Sequence, residues 1–234
     1  MSEIFLSKDD TVTEIFIAAE DTAGNIVQQA KSMTNESGNE IVCFFPKATT
    51  VGNTLIAIVQ IYDNFVFNIP AGYTQLAQVN EVNISHHIII KTADGTEKSL
   101  ESTWASNSVP SISILELNSG WQLDVITVGT SNNVIVNTLS TGNGTPTTSE
   151  SCILAIFSYD GLYDFGGVPA LSNNYRVTDY ITADNAPTVN ANGCPGFTIG
   201  HKLTSALTAE ECTFSVLSGA GNEMLSALLI LKRI

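Results

Sequence analysis

Basic residues are scarce in this chain: 9 Lys and Arg stand against 23 Asp and Glu, a formal net charge of −14. A field of that sign repels phosphate backbones and anionic lipid, so neither nucleic acid nor a membrane surface is an expected partner. Charge of either sign is thin, at 14% of residues beside 44% hydrophobic, well below the usual quarter. Solubility therefore falls to Ser, Thr, Asn and Gly. The acids are scattered along the chain, which argues against a disordered acidic tail. The most apolar run, Leu225 to Leu231, falls far short of the ~20 residues that cross a bilayer. The start, Met1-Ser2-Glu3-Ile4-Phe5-Leu6-Ser7-Lys8, lacks the basic segment and apolar stretch of a signal peptide. That predicts synthesis in a cytosol without export.

Cysteine is also sparse. Cys43, Cys152, Cys194 and Cys212 show no Cys-x-x-Cys spacing, and four are too few to form a framework in a chain of this size. Cys43 and Cys152 lie inside apolar strand patterns and read as small buried hydrophobes. There is no Gly-x-Ser-x-Gly elbow, no phosphate-binding loop, no dinucleotide fingerprint and no His-Glu-x-x-His. No catalytic residue and no cofactor is expected, and no pair of carboxylates stands out for glycoside hydrolysis.

What the chain does contain is an internal echo. Thr49-Thr50-Val51-Gly52-Asn53-Thr54-Leu55-Ile56-Ala57-Ile58-Val59-Gln60-Ile61-Tyr62-Asp63 reappears as Thr147-Thr148-Ser149-Glu150-Ser151-Cys152-Ile153-Leu154-Ala155-Ile156-Phe157-Ser158-Tyr159-Asp160. Each copy is a Thr pair, a polar turn, an aliphatic run about Ala-Ile, then Tyr-Asp. Self-similarity of this kind marks a doubled supersecondary unit.

Strand signals surround it. Glu40 to Phe45, Leu55 to Ile61, Tyr73 to Val79, His87 to Lys91, Ser99 to Ala105, Ser111 to Leu117, Trp121 to Thr127 and Asn133 to Leu139 read as strands. Ile153 to Ser158, Tyr175 to Tyr180, Phe197 to Leu203, Cys212 to Leu217 and Leu225 to Lys232 follow. Gly, Asn, Asp and Pro clusters such as Asp94-Gly95 and Asn118-Ser119-Gly120 separate them as turns. The pattern predicts an all-β fold: a two-sheet antiparallel β-sandwich, jelly-roll-like, with pseudo-duplicated halves and an N-terminal arm. In each half a strand ends in lysine (Lys91, Lys202), a later strand carries Thr followed by an aromatic (Trp104, Phe214), and an apolar strand closes the unit. The two aromatics are expected to plug the core. The sandwich is expected over residues 36–234, with halves at about 36–140 and 141–234.

Residues 1–35 read as an arm or peripheral element. Ser7-Lys8-Asp9-Asp10 suits the start of a helix through Thr11 to Ala19. The β-branched run from Thr11 to Ile17 suits a strand equally.

Two constellations invite a ligand. His86 and His87 are adjacent and point to opposite faces of a strand, so a metal would need one of them with His201 and a distant acid. The plainer reading makes all three surface or half-buried strand residues. Tyr159-Asp160-Gly161-Leu162-Tyr163-Asp164 gathers two acids and two tyrosines, and Tyr62-Asp63 occupies the matching loop. Tyr62, Asp63, Tyr159, Asp160, Tyr163 and Asp164 are thus the candidate ligand-binding residues. The acids suit calcium, though without a dense ladder of oxygen donors. Tyr62, Trp121, Tyr163 and Tyr175 suit stacking on a sugar, although aromatics in β-rich loops more often plug a core.

The chain also resembles a family of β-sandwich modules of tailed-phage virion proteins and some bacterial surface proteins. The likeness rests on Ala48-Thr49-Thr50-Val51-Gly52-Asn53-Thr54-Leu55-Ile56-Ala57, Pro70-Ala71-Gly72-Tyr73-Thr74-Gln75-Leu76 and Ile90-Lys91-Thr92-Ala93-Asp94-Gly95-Thr96. Ile114-Leu115-Glu116-Leu117 and Ala227-Leu228-Leu229-Ile230-Leu231-Lys232 resemble its closing strands. It covers about residues 36–234, leaving residues 1–35 and the loops near Asp160 unmatched. The resemblance implies a non-enzymatic virion protein made in a host cytoplasm, as head decoration, fibre or tail-associated module. Its implied partners are other virion proteins, further copies of itself and, for a tail module, a host surface glycan.

Overall fold

The computed structural model of the chain describes residues 3–8, 11–16, 25–34, 37–132, 136–160, 169–181, 195–215 and 223–234. The described residues contain strands and no helix. The first stretch runs β1 (Glu3–Lys8), β2 (Thr11–Phe16), β3 (Ile26–Thr34), β4 (Gly38–Phe44), β5 (Thr54–Tyr62) and β6 (Phe67–Asn68). It continues through β7 (Thr74–Asn80), β8 (Ile84–Thr92), β9 (Ser99–Ser108) and β10 (Pro110–Leu117). The second comprises β11 (Trp121–Thr130), β12 (Thr138–Ser140), β13 (Ser151–Tyr159), β14 (Arg176–Ile181), β15 (Gly196–Thr204), β16 (Thr213–Ser215) and β17 (Met224–Arg233).

All pairings are antiparallel. They build a seven-stranded sheet β1-β2-β3-β10-β5-β8-β7, a five-stranded sheet β11-β17-β13-β15-β14, and two small sheets, β4-β9-β6 and β12-β16. The two large sheets pack face to face through Ile56, Ile58, Ile88 and Leu115 on one side and Leu154, Ile156, Phe197 and Leu229 on the other. Each small sheet covers the outer face of its own large sheet. Ile41, Cys43, Leu100 and Trp104 lie over Leu55, Ala57 and Ile114. Phe214 and Cys212 lie over Ile153, Ala155, Phe157 and Leu228. The sandwich is therefore four layers deep, and each half relies on the other to cover its inner face.

That layering explains the sequence pattern. β5, β10, β13 and β17 are enclosed on both faces and buried along almost their whole length, so apolar residues fill both faces, unbroken at 55–59 and 153–157 and interrupted in β10 by Ser111, Ser113 and Glu116. β9 is a cover strand with one wet face, and its buried residues alternate as Leu100, Ser102 and Trp104. Trp104 and Phe214 are the expected plugs, both fully enclosed. Burying such a ring contributes about 2–3 kcal/mol.

The halves share one strand order. β3-β10-β5-β8-β7 corresponds to β11-β17-β13-β15-β14 strand for strand, and β9 over β4 and β6 corresponds to β16 over β12 and the Leu171–Phe214 bridge. With Ala57 laid on Ala155, the pairings carry Lys91 onto Lys202, Tyr73 onto Tyr175 and Ile26 onto Leu123. Even the bulges coincide: Gln75/Ala77 with Val177/Asp179, and the one at Val27 with the one at Asp124.

The Thr49–Asn53 turn is held from below. Glu116, fully buried, accepts from the Thr50 amide at 2.8 Å, from Asn53 Nδ2 at 2.6 Å and from Gln28 Nε2. Gly52 supplies the turn's positive φ of 83°. Its amide donates to Ala93 O at 2.9 Å.

Residues 1–35 divide in two. β1 and β2 form a hairpin at the edge of the seven-stranded sheet, so Thr11–Phe16 is strand, not helix. β3, by contrast, is an integral strand with Ile26, Ala30 and Met33 in the core. The expected boundary at 35/36 therefore separates two strands of the folded body. The strand expected from Asn133 is shorter, with β12 at Thr138–Ser140 and residues 133–135 outside the described part.

Candidate functional site

Tyr62 and Asp63 close β5, and Tyr159 and Asp160 close β13, but the two dipeptides are not equivalent. The echo slips by one residue at its end. In the pairing registers Ile61 matches Tyr159, and Tyr62 matches Asp160. A slip of one residue sends a side chain to the other face of a sheet. The Tyr159 ring consequently enters the outer core, stacked on Phe214, and its hydroxyl is shared between the carbonyls of Ile181 (2.8 Å) and Phe197 (3.0 Å). Wholly buried, it offers no face to a ligand. Tyr163 and Asp164 lie outside the described residues.

Tyr62 and Asp160 lie instead at the seam between the large sheets, where Glu223 joins them. Partial burial, then the carboxylates of Asp63, Asp160 and Glu223, hold the Tyr62 phenol above its ordinary value. Burial and, second, the charge of Glu223 push Asp160 up to about 6. One oxygen of Asp160, Oδ1, is buried without a hydrogen-bond partner among the described residues. Glu223 is fixed by the other half: the Asn83 amide donates to it at 2.8 Å and Asn83 Nδ2 at 3.1 Å. Asp63 takes a positive φ of 71° and donates its amide to Asn83 O at 2.8 Å. Nearby, Ser131 Oγ donates to Glu81 at 3.3 Å and accepts from the Met224 amide at 3.2 Å. The seam thus sets an anchored carboxylate beside one that titrates near 6, an arrangement suited to a proton-sensitive polar contact.

No group of three or more His, Cys, Asp or Glu among the described residues is placed to hold a metal ion. The histidines are buried rather than at the surface. His86 Nδ1 meets Ser158 Oγ at 3.1 Å, His87 stacks on Phe67 at 4.5 Å, and His201 Nδ1 meets Thr178 Oγ1 at 2.6 Å. Trp121 and Tyr175 are buried too, which removes them as sugar platforms. Arg233 sits 4.4 Å over the Trp121 ring, at the wall of a groove of about 350 Å³ that Leu203 and Glu150 also line.

Sequence reasoning passed over a constellation that recurs in both halves. Lys91 bonds Glu97 at 2.7 Å beside Tyr73, and Lys202 bonds Glu210 at 2.7 Å beside Tyr175. Burial first and the matching glutamate second raise both tyrosine hydroxyls. The matching lysines were the available signal, and the glutamates lie in loops where spacing varies.

Comparison with protein-family models, with curated proteins and with solved structures finds no match to this chain.

Proposed function

We propose that this chain is a non-enzymatic structural protein of a bacteriophage particle, a capsid decoration or auxiliary head protein that works by packing against other virion proteins and against further copies of itself. The observation that carries the reading is the β1–β2 hairpin, which extends one large sheet two strands beyond its counterpart. A doubly covered body supports that extension, with four central strands enclosed on both faces. Such a body is stiff, and its small share of charged residues suits close packing in a shell. The resemblance of the residue pattern to tailed-phage virion modules supports the same reading. The shared strand order, bulges and Tyr–Lys–Glu groups support descent of the halves from one duplicated unit.

Antibody labelling of intact particles under the electron microscope tests the reading. Regular labelling of the head is the expected result, and unlabelled particles would reject it.

A second reading, a tail or fibre module binding a host glycan, draws on the half-exposed Tyr62 beside Asp63 and Asp160. A glycan array run with the wild type and Tyr62→Ala separates the two. Binding lost in the variant favours the glycan reading, and no binding by either protein leaves the structural reading ahead.

A further inference from the structure

The seven-stranded and five-stranded sheets differ by one element. β3 and β11 are equivalent strands, each beside the closing strand of its half and each bulged at the same place. The outer edge of β3 is occupied: Thr11, Val12, Thr13 and Glu14 of β2 pair with Thr34, Met33, Ser32 and Lys31. The outer edge of β11 carries no strand among the described residues.

The side chains at the two positions also differ in burial. Through the shared register Lys31 matches Val128, both directed to the seam between the large sheets. Lys31 is 2% exposed, bonded to Tyr180 O at 2.8 Å and lying 3.6 Å from Asp179. Val128 is 51% exposed, although it is the apolar one of the two. Along the same flank Val82 is also exposed, next to Glu81, which meets Ser131. Edge strands are ordinarily guarded by lysine, proline or an inward charge. The β11 sequence, Trp121 to Thr130, has one charge, Asp124, and that carboxylate is engaged by Thr147 and Lys232.

At the far end of the other sheet, β1 is likewise an edge strand whose one partner among the described residues is β2. The chain therefore presents two open edges, one made by the hairpin and one at the position that a hairpin fills in the other half. We propose that β11 is the docking site for the N-terminal hairpin of a second copy, with β1 of one molecule adding as a strand to β11 of the next. β2 stays on its own β3, and the seven-stranded sheet of one copy becomes continuous with the five-stranded sheet of its neighbour. The contact is heterologous, joining different surfaces of the two copies, so repetition gives a ring or an open filament. Main-chain bonds hold the strand, as they hold β2 on β3 in the other half. The inference rests on the reading of the protein as an assembling module, but it can fail separately.

Two point variants each remove a main-chain donor that faces an open edge: Val128→Pro on β11, whose N–H points away from β17, and Ser7→Pro on β1, whose N–H points away from β2. Thermal melting of both verifies that the body is folded. In sedimentation velocity the full chain is expected to give species that grow with concentration, and each variant alone to stay monomeric. An equimolar mixture of the variants pairs the open β1 of one with the open β11 of the other, so it should give dimers and nothing larger. Assembly that persists in either folded variant, or a mixture that stays monomeric, overturns the proposal and leaves the virion reading standing. A full chain that is monomeric at every concentration overturns the proposal and the self-association part of that reading together.

Discussion

Gln60 Nε2 donates to Ser158 Oγ at 3.2 Å across the seam, and the two residues hold the same place in the two echoing strands, 98 positions apart. A contact between equivalent positions is what an approximate two-fold relation between the halves produces on its axis. Ser111 Oγ donates to Gln60 Oε1 at 2.9 Å and His86 meets Ser158, so a buried polar chain marks that line. Such a network fixes how two apolar faces register, because sliding either sheet leaves its members unpaired.

Glu116 is the anchor of the Thr49–Asn53 turn. Glu116→Ile would copy Ile230, the residue at the same place in the second half, yet it removes the acceptor of the Thr50 amide and of Asn53 Nδ2, and one of the two acceptors of Gln28 Nε2. At roughly 1–3 kcal/mol for each unsatisfied buried group, the loss is expected to exceed about 3 kcal/mol. Urea unfolding measures it.

His86 and His87 make the fold acid-sensitive. Burial pulls His86 down to about 3, with His87 adding to the effect, and burial pulls His87 down to about 4. Both lie below the ordinary 6.5, so as pH falls from there toward 4 the unfolded chain binds more protons than the folded one. Stability then drops by about 1.4 kcal/mol per pH unit for each ring. His86→Phe places the residue of the matching position, Phe197, and should flatten the slope of urea midpoints between pH 6.5 and 4.5 by about half.

Asp160 acts in the opposite direction. Its folded value of about 6 lies above the ~3.9 of an unfolded chain. The folded state therefore binds this proton more tightly, and the group's contribution to stability falls as pH rises from about 4 to 6. Asp160→Asn should raise the melting temperature above pH 7 and leave it unchanged near pH 3.5. An equal rise at both pH values would show that the carboxylate charge is not the cause.

Gly196 passes directly beneath the Tyr159 ring. An added Cβ would come within 2.0 Å of Tyr159 Cε2 and 2.9 Å of Ile181 O. Gly196→Ala is expected to expel the ring and its hydroxyl bonds, at a cost of about 3 kcal/mol or more. Tyr159→Phe keeps the packing and should cost only about 1 kcal/mol. Thermal melts of the two variants, with near-ultraviolet circular dichroism of the Tyr159 environment, check this.

The central strands were legible because enclosure on both faces selects consecutive apolar residues, as at 55–59 in β5 and 153–157 in β13. Trp104 and Phe214 were legible as plugs from their place after Thr. β3 escaped notice because its seam-facing positions are polar, Gln29 and Lys31, and their partners Thr178 and Tyr180 lie 149 residues away. The candidate site was half legible. Tyr62, Asp63 and Asp160 do come near one another, but matching Tyr-Asp to Tyr-Asp concealed the one-residue slip that buries Tyr159. Glu223 and Asn83 carried no signal, because their relation exists only across the seam.

Quantitative mass spectrometry of purified virions from the genome that encodes the chain bears most directly on its proposed role. A particle component should be present in many copies, in fixed proportion to the major shell protein and resistant to salt washing. Absence from washed particles, with the chain recovered in the soluble lysate, would contradict the account.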